Sequence, residues 1–429
     1  MIARRAALVI ALVVLGASSA RAHGGRLQTQ HVIVEGEGRV TSITTFGLLA
    51  RDAADAPFRW TCQESIPDAV AGIAMPGVVI GERVVLAGNF GIVRGARRGC
   101  AWERDEATRE RFVPDLVRAP DGAVLAVTGD GGRENHVMRS DDEGLSFAAI
   151  GAPLPAGLLA ARLRVAPSRI YVIGTTREAG SIALRGMIAR SDDGGATWRE
   201  LDLGALEDDE RVVRGLEVDP RDPDVLFVVV QGDEHDRLMR TSDGGETWTE
   251  VVTLAALPGP IERPFALAHG NDGEVWLGNT GTGLSVLRAN GVVDRIDEGI
   301  SLACLARDGT SMWMCGDGLL DGFALARFAL DAPYAREPVL RFAAIERRAC
   351  DGEIDCACDA WWSDFRAEAE LDGGITSCGA MDAGVAPARG GGCTCRVATD
   401  DGPSRAWLVG LGGFVNVLLL ALRRRKRAC

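Results

Sequence analysis

The chain has 429 residues, of which 47% are hydrophobic, so it is long enough to bury a large core. Its formal net charge of -13 at pH 7 argues against nucleic-acid binding, because that binding depends on a basic surface that neutralises phosphates. The 54 glycines and the aromatic content of only 5% suit many short strands joined by tight turns. The composition therefore favours an all-β protein with no nucleic-acid partner.

The N-terminal residues 1–22 have the three parts of an export signal. Residues 1–5 are a short basic head, residues 6–16 are an apolar run, and residues 20–22 form a cleavage site of the A-x-A type. The segment predicts a signal peptide and a mature chain that begins at His23.

A motif with the skeleton S-x-D-x-G-x-T-W recurs along the chain. Its aspartates, Asp142, Asp193 and Asp243, lie 51 and 50 residues apart, and a fixed spacing of this size indicates a structural repeat. The glycine permits positive φ, the Asp and Ser/Thr side chains can bond the turn's own amides, and the aromatic residue anchors the next strand. We expect a structural role for the following motif residues: Ser140, Asp142, Gly144, Phe147, Ser191, Asp193, Gly195, Thr197, Trp198, Thr241, Asp243, Gly245, Thr247 and Trp248.

These residues resemble the Asp-box (BNR) repeat of sialidases, sortilin-type receptors and photosystem II assembly factors. In those families the box is a turn between the two outer strands of a β-propeller blade, so the resemblance implies a structural role and no chemistry. Degenerate copies at residues 55 and 97, together with paired apolar strands, give seven units of roughly 40 to 55 residues between residues 26 and 345. The sequence predicts an all-β fold, a β-propeller of seven four-stranded blades; six or eight blades stay open, and a β-solenoid is the weaker alternative.

The residues that sialidase chemistry would need are not recognisable. The two tyrosines are Tyr171, inside a regular strand, and Tyr334, near Glu337, and no supporting arginines can be identified. A two-carboxylate glycosidase stays open, because 60 acidic residues allow many pairs. The acidic loops 129–136 and 232–236 lack the usual calcium-loop spacing, which favours solvated turns. We therefore predict no catalytic residue, no metal site and no cofactor.

The cysteines fall into three groups. Cys304 and Cys315 flank a turn and could face each other across one hairpin, whereas Cys62 and Cys100 lie on the outer strands of adjacent units and could join two blades. Residues 346–395 lack strand periodicity and predict a Cys-rich stalk or small disulfide-stapled segment. Disulfides are favoured over zinc there, because the chain carries an export signal and no histidine is nearby. The candidate cysteines of this segment are Cys350, Cys356, Cys358 and Cys378.

The tail, residues 396–429 with the glycine- and cysteine-containing stretch before it, resembles the myxobacterial sorting signal MYXO-CTERM. Residues 406–422 are an apolar run that predicts a short transmembrane helix, and the basic residues 423–427 predict a cytoplasmic end. The resemblance implies a sorting protease as a partner and processing or modification at Cys393 or Cys395. A plain transmembrane anchor is the alternative.

These features predict an exported protein anchored in the outer membrane or at the cell surface. Its propeller is expected to act as a non-enzymatic recognition or scaffold module for a protein or glycan ligand. Two alternatives stay open: a glycoside hydrolase on the same propeller, and an assembly factor for a membrane complex.

Overall fold

The computed structural model describes residues 27–67, 69–70, 75–89, 91–177, 184–203, 212–232, 235–255, 265–350 and 353–371. Within these ranges, 29 strands form seven sheets, and each sheet contains an antiparallel meander of four consecutive strands. A short fifth strand, β29 (Glu346–Arg347), joins the edge of the first sheet. The signal segment 1–22 and the tail from residue 372, which includes Cys378, Cys393, Cys395 and the apolar run 406–422, lie outside these ranges.

The sheets are numbered as blades 1 to 7 in chain order. Blade 1 contains β1 (Thr29–Val34), β2 (Val40–Thr44), β3 (Gly47–Arg51) and β4 (Arg59–Cys62), and blade 2 contains β5 (Gly77–Ile80), β6 (Arg83–Gly88), β7 (Gly91–Ala96) and β8 (Trp102–Arg104). Blade 3 contains β9 (Asp115–Arg118), β10 (Val124–Val127), β11 (Val137–Ser140) and β12 (Ala148–Ile150), and blade 4 contains β13 (Leu159–Ala166), β14 (Arg169–Thr176), β15 (Arg185–Ser191) and β16 (Arg199–Leu201). Blade 5 contains β17 (Val212–Val218), β18 (Leu226–Gln231), β19 (His235–Thr241) and β20 (Thr249–Ala255). Blade 6 contains β21 (Phe265–His269), β22 (Val275–Asn279), β23 (Gly283–Leu287) and β24 (Val293–Asp297). Blade 7 contains β25 (Cys304–Asp308), β26 (Ser311–Cys315), β27 (Leu325–Ala329) and β28 (Glu337–Leu340).

The seven blades close into a ring. The first strand of each blade contacts the first strand of the next, and β25 of blade 7 contacts β1 of blade 1. The chain is therefore a seven-bladed β-propeller, as the repeat spacing predicts. The first strands surround the central axis and the fourth strands lie outermost.

The core lies between neighbouring blades. Apolar residues from Leu226 to Val230 on β18 are all buried, because a second strand of a propeller is covered on both faces by the adjoining blades. Val228, for example, belongs to one buried cluster with Ile173 of blade 4 and Leu216 of blade 5. Each such buried aliphatic side chain contributes about 1.5–3 kcal/mol of transfer free energy.

Residues 346–350 and 353–371, here called the C-terminal arm, pack on the outside of blade 1. A two-residue strand, β29 (Glu346–Arg347), pairs in parallel with β4, and a helix, α1 (Glu353–Leu371), follows. Phe365 of the helix stacks on Trp60 with ring centroids 4.8 Å apart and on Phe46 at 5.2 Å. The described part of the segment predicted as a stalk is thus packed onto the propeller. Within the described residues, no helix is both long and apolar enough to cross a bilayer.

The disulfides correct one predicted pairing. Cys304 and Cys315 are bonded across the β25–β26 hairpin, as the sequence predicts. The prediction that Cys62 and Cys100 join two blades to each other is wrong, because each is bonded to the C-terminal arm. The pairs are Cys62–Cys358 and Cys100–Cys350.

Candidate functional site

The three motif turns, here called the box turns, connect the third and fourth strands of blades 3, 4 and 5. In the turn of blade 4, the hydroxyl of Thr197 donates to Asp193 at 2.6 Å, and the Thr197 amide and the Ser191 hydroxyl donate to the same carboxylate at 2.9 and 2.8 Å. The Ser191 hydroxyl oxygen in turn accepts from the amide of Gly195 at 2.7 Å. These bonds, led by that of Thr197, lower the pKa of Asp193 to about 2.

The other two box turns repeat this arrangement. The carboxylate of Asp142 accepts from the hydroxyls of Ser140 and Ser146, and that of Asp243 accepts from the hydroxyls of Thr241 and Thr247. These hydroxyl bonds hold the pKa of both aspartates well below the ordinary value. Each carboxylate is committed to its own turn, so the geometry gives these aspartates a structural role.

The degenerate copy at residue 97 has a different function in the fold. Arg97 is 1% exposed, although it lies in the turn between β7 and β8. Its guanidinium donates to Glu35 at 2.7 Å, forms a short ion pair with Asp52, and donates to the Arg51 carbonyl at 2.7 Å. Arg97 thus ties blade 2 to blade 1. The other degenerate position, Asp55, is exposed in the β3–β4 turn.

The residues considered for enzyme or metal chemistry are not brought together. Tyr334 is 72% exposed in the turn between β27 and β28, at the outside of blade 7, whereas Tyr171 is buried and donates its hydroxyl to the Pro223 carbonyl at 2.8 Å. In loop 129–136, Asp130 pairs with Arg111 and accepts from a backbone amide. Over the described residues, no three His, Cys, Asp or Glu side chains are grouped as metal ligands would be.

Charged side chains instead collect along the axis, on the first strands of blades 1, 3, 4 and 5. Strand registers place His31 opposite Ile43, Asp115 opposite Val127 and Arg162 opposite Ile173, four or five residue pairs from the turn that ends each hairpin. The three residues therefore lie at nearly the same depth around the channel. Glu217 and Arg164 lie about two residues closer to the hairpin turns of their own blades. We call His31, Asp115, Arg162, Arg164 and Glu217 the axial cluster.

Arg164 links the acids of this cluster. Its Nη1 lies 3.1 Å from Asp115 Oδ2 in blade 3, and its Nε lies 3.3 Å from Glu217 Oε2 in blade 5. Asp115 also accepts from the amide of Leu163 at 2.9 Å, which fixes the carboxylate against blade 4. Burial disfavours the charge on Arg164, but the two carboxylates outweigh burial and raise the pKa of Arg164. Both carboxylates, Asp115 and Glu217, are thus held by the single guanidinium of Arg164.

Arg162 and His31 are different, because neither has a carboxylate partner among the described residues. Among the described residues, the Arg162 side chain makes one hydrogen bond, from Nη1 to the Ala161 carbonyl at 3.0 Å. Burial, followed by the positive charge of Arg162, lowers the pKa of His31 to about 4, so its imidazole is neutral at pH 7. The His31 side chain is partly accessible to water. Within the described residues, neither of its ring nitrogens is a fully buried atom that lacks a hydrogen-bond partner.

Both residues follow an irregularity in the first strand. The register of β1 shifts between Thr29 and His31, and that of β13 shifts between Ala160 and Arg162. Such bulges redirect side chains and occur often beside functional sites. Sequence reasoning missed the axial cluster. The available signal was a pair of charged residues, Arg162 and Arg164, within the otherwise apolar β13.

A second concavity lies between blades 2 and 3 on the outside of the ring. It has a volume of about 390 Å³ and is lined by Arg83, Arg94, Glu103 and Glu143, among other residues. Arg94 lies 3.1 Å from Glu103, and Arg83 donates to the Glu143 carbonyl at 2.9 Å. Its charges are mostly paired, which leaves the axial cluster as the stronger candidate site.

Comparisons with known proteins agree with the fold. No protein-family model matches the chain, and no curated protein matches it. Among solved structures, puromycin hydrolase has a TM-score of 0.52 at 15% identity over 75% of this chain and 54% of that one. The extracellular domain of the putative one component system BT4673 from B. thetaiotaomicron has a TM-score of 0.49 at 14% identity over 68% of this chain and 38% of that one. YCF48 bound to D1 peptide has a TM-score of 0.38 at 16% identity, covering 58% and 74%.

The closed ring of seven blades places the chain in a class of protein, the β-propellers, and the similarity to puromycin hydrolase supports the fold alone. The identities are too low to transfer an activity. In addition, the chain spans only about half of puromycin hydrolase and less than that of the BT4673 chain. Function must therefore be argued from the site.

Proposed function

We propose that this protein is an exported, surface-anchored propeller that acts as a non-enzymatic recognition module, with the axial channel as its ligand site. The observation that carries this proposal is the axial cluster, in which polar groups from four blades lie around the axis and two of them, Arg162 and His31, have no carboxylate partner among the described residues. A closed ring holds these groups rigidly, which reduces the entropy cost of binding. Export and anchoring rest on the signal segment 1–22 and on the tail 396–429.

The absence of catalysis is part of the proposal. In the axial cluster, Asp115 and Glu217 are both engaged in ion pairs with Arg164. Hydrogen bonds hold the pKa of each box aspartate below its ordinary value and keep its carboxylate within its own turn. A recognition role uses these groups as they stand, whereas a two-carboxylate hydrolase needs two carboxyl groups that face the substrate.

The test combines capture with chemical analysis of what is captured. The purified protein is immobilised and incubated with envelope proteins and with a glycan array, and the bound material is analysed by mass spectrometry before and after prolonged incubation. We expect saturable binding of a ligand that is recovered with unchanged mass. Cleavage of the ligand, or turnover of model glycosides, would contradict the non-enzymatic role, and a lack of specific binding would contradict recognition.

A further inference from the structure

We propose that the axial channel binds a carboxylate group of a peptide ligand, held by the guanidinium of Arg162 and the imidazole of His31. This inference rests on the proposed recognition function and names the ligand class.

The charge of the ligand follows from the pairing within the cluster. Arg164 faces two carboxylates, so its positive charge is compensated on both sides. Arg162, two residues earlier on the same strand, has no carboxylate among the described residues and donates only to a backbone carbonyl. A guanidinium without a direct carboxylate partner keeps N–H donors for a ligand, and its planar array of donors matches a carboxylate.

The second donor is provided from another blade. His31 lies at the depth of Arg162, and both residues follow a register shift in the first strand of their blade. A neutral imidazole carries one N–H donor and one acceptor. Among the described residues, the side-chain hydrogen bond to His31 comes from Ser42 and is accepted by the His31 backbone carbonyl, and no hydrogen bond involves a ring nitrogen of His31. His31 can therefore donate to a carboxylate without adding a second charge, and it provides contact from blade 1 while Arg162 provides it from blade 4.

The surrounding acids limit the ligand to a single carboxylate at this point. Asp115 and Glu217 are adjacent to the proposed site, and the whole chain has a formal net charge of -13. A polyanion such as a polyuronate would bring further negative charges close to these acids, and like charges repel. A peptide can present one carboxylate, from its terminus or from an acidic side chain, with neutral groups around it.

The channel also lacks the stacking surfaces that sugar rings use. In the described first strands, Phe265 alone is a Phe, Tyr or Trp residue, and it packs in the cluster between blades 5 and 6. Backbone amides of a peptide need only polar partners, which the axial cluster provides. A peptide carboxylate therefore fits the described lining better than a glycan does.

The test is isothermal titration calorimetry, in which the whole protein is titrated with short synthetic peptides and the dissociation constant of each peptide is measured. The panel contains neutral hexapeptides with a free or amidated C-terminus, each with or without one internal glutamate, and an oligouronate. Arg162→Gln should weaken binding of the carboxylate-bearing peptides by about 10- to 100-fold, the size expected for a charged hydrogen bond. His31→Ala should weaken it by a few fold. The amidated peptide without glutamate should bind poorly, and the free terminus and the glutamate arms distinguish the two sources of the carboxylate.

The matched control is Arg118→Gln, which removes the same charge from an exposed position at the far end of β9. It should leave binding unchanged, and circular dichroism should show that all three variants are folded. Equal loss in the Arg162 and Arg118 variants, preference for the oligouronate, or binding that ignores the carboxylate would overturn the inference. If a captured natural ligand binds the Arg162→Gln variant normally, the carboxylate site is wrong while the recognition function stands.

Discussion

The two disulfides of the C-terminal arm allow a quantitative prediction of how the ring is held closed. Cys62–Cys358 and Cys100–Cys350 span sequence separations of 296 and 250 residues. A disulfide stabilises the fold mainly by restricting the unfolded chain, and this effect grows with the logarithm of the loop that it closes. The two bonds are nearly concentric, so their effects should depend on each other.

The magnitude follows from the loops. When one bond is intact, the other closes a further loop of only about 46 residues, which is the difference between the sequence separations of 296 and 250. A loop of this size corresponds to about 4 kcal/mol of unfolding free energy. When both are removed, the loop of 296 residues is also released, which adds about 5 to 6 kcal/mol. Each single removal should therefore cost about 4 kcal/mol, and the double removal about 9 to 10 kcal/mol.

The assay is urea unfolding of the purified, oxidised protein, with mass spectrometry to verify each bond. One variant carries Cys62→Ala and Cys358→Ala, a second carries Cys100→Ser and Cys350→Ser, and a third carries all four changes. Loss of the hairpin bond Cys304–Cys315, whose residues are separated by 11, is the control and should cost about 3 kcal/mol. If either removal on the C-terminal arm leaves the unfolding free energy unchanged, or if the double removal costs no more than a single one, the reasoning fails.

Three further predictions concern stability. His31 has a pKa of about 4 in the folded protein, below its ordinary 6.5, so as pH falls the unfolded chain takes up a proton at this residue before the folded chain does. The free energy of unfolding should therefore decrease by up to about 3 kcal/mol between pH 6.5 and 4. In acid-unfolding titrations, the His31→Gln variant should lack this decrease. Gly245→Ala should lower the free energy of unfolding in urea by about 1–3 kcal/mol, because φ is +97° and the new Cβ would meet a leucine side chain. Gly194→Ala, where φ is +71° and the space around the new Cβ is open, should lower it less. Equal losses in the two variants would refute the packing argument. Arg97→Met should destabilise the protein by about 3–5 kcal/mol, because it leaves the largely buried carboxylate of Glu35 without its cation. Arg39→Met removes an exposed ion pair and should change stability by under about 1 kcal/mol. Similar values for the two variants would show that burial of the ion pair is unimportant.

The sequence predicted the parts of the fold that repeat. The spacing of Asp142, Asp193 and Asp243 is a local signal, because each turn is made by residues within one octapeptide, and it led to the correct blade number. The Cys304–Cys315 bond was also predictable, since a hairpin brings both residues together irrespective of the rest of the chain.

The features that depend on closure of the ring could not be predicted. Cys62 and Cys358 are 296 residues apart and meet only because α1 lies across blade 1. His31 and Arg162 belong to different blades, and their shared depth follows from two strand registers and two register shifts, none of which is visible in residue types. Long-range pairings of this kind need coordinates, whereas short-range turns need only the sequence.

The most direct test of the central claim is a crystal structure of the protein with the ligand that the capture experiment identifies. The account predicts that the ligand occupies the axial channel, with an oxygen within hydrogen-bond distance of Arg162 and in contact with His31. A ligand seated on the box turns, or in the groove beside Arg83 and Glu143, with an empty channel, would contradict it.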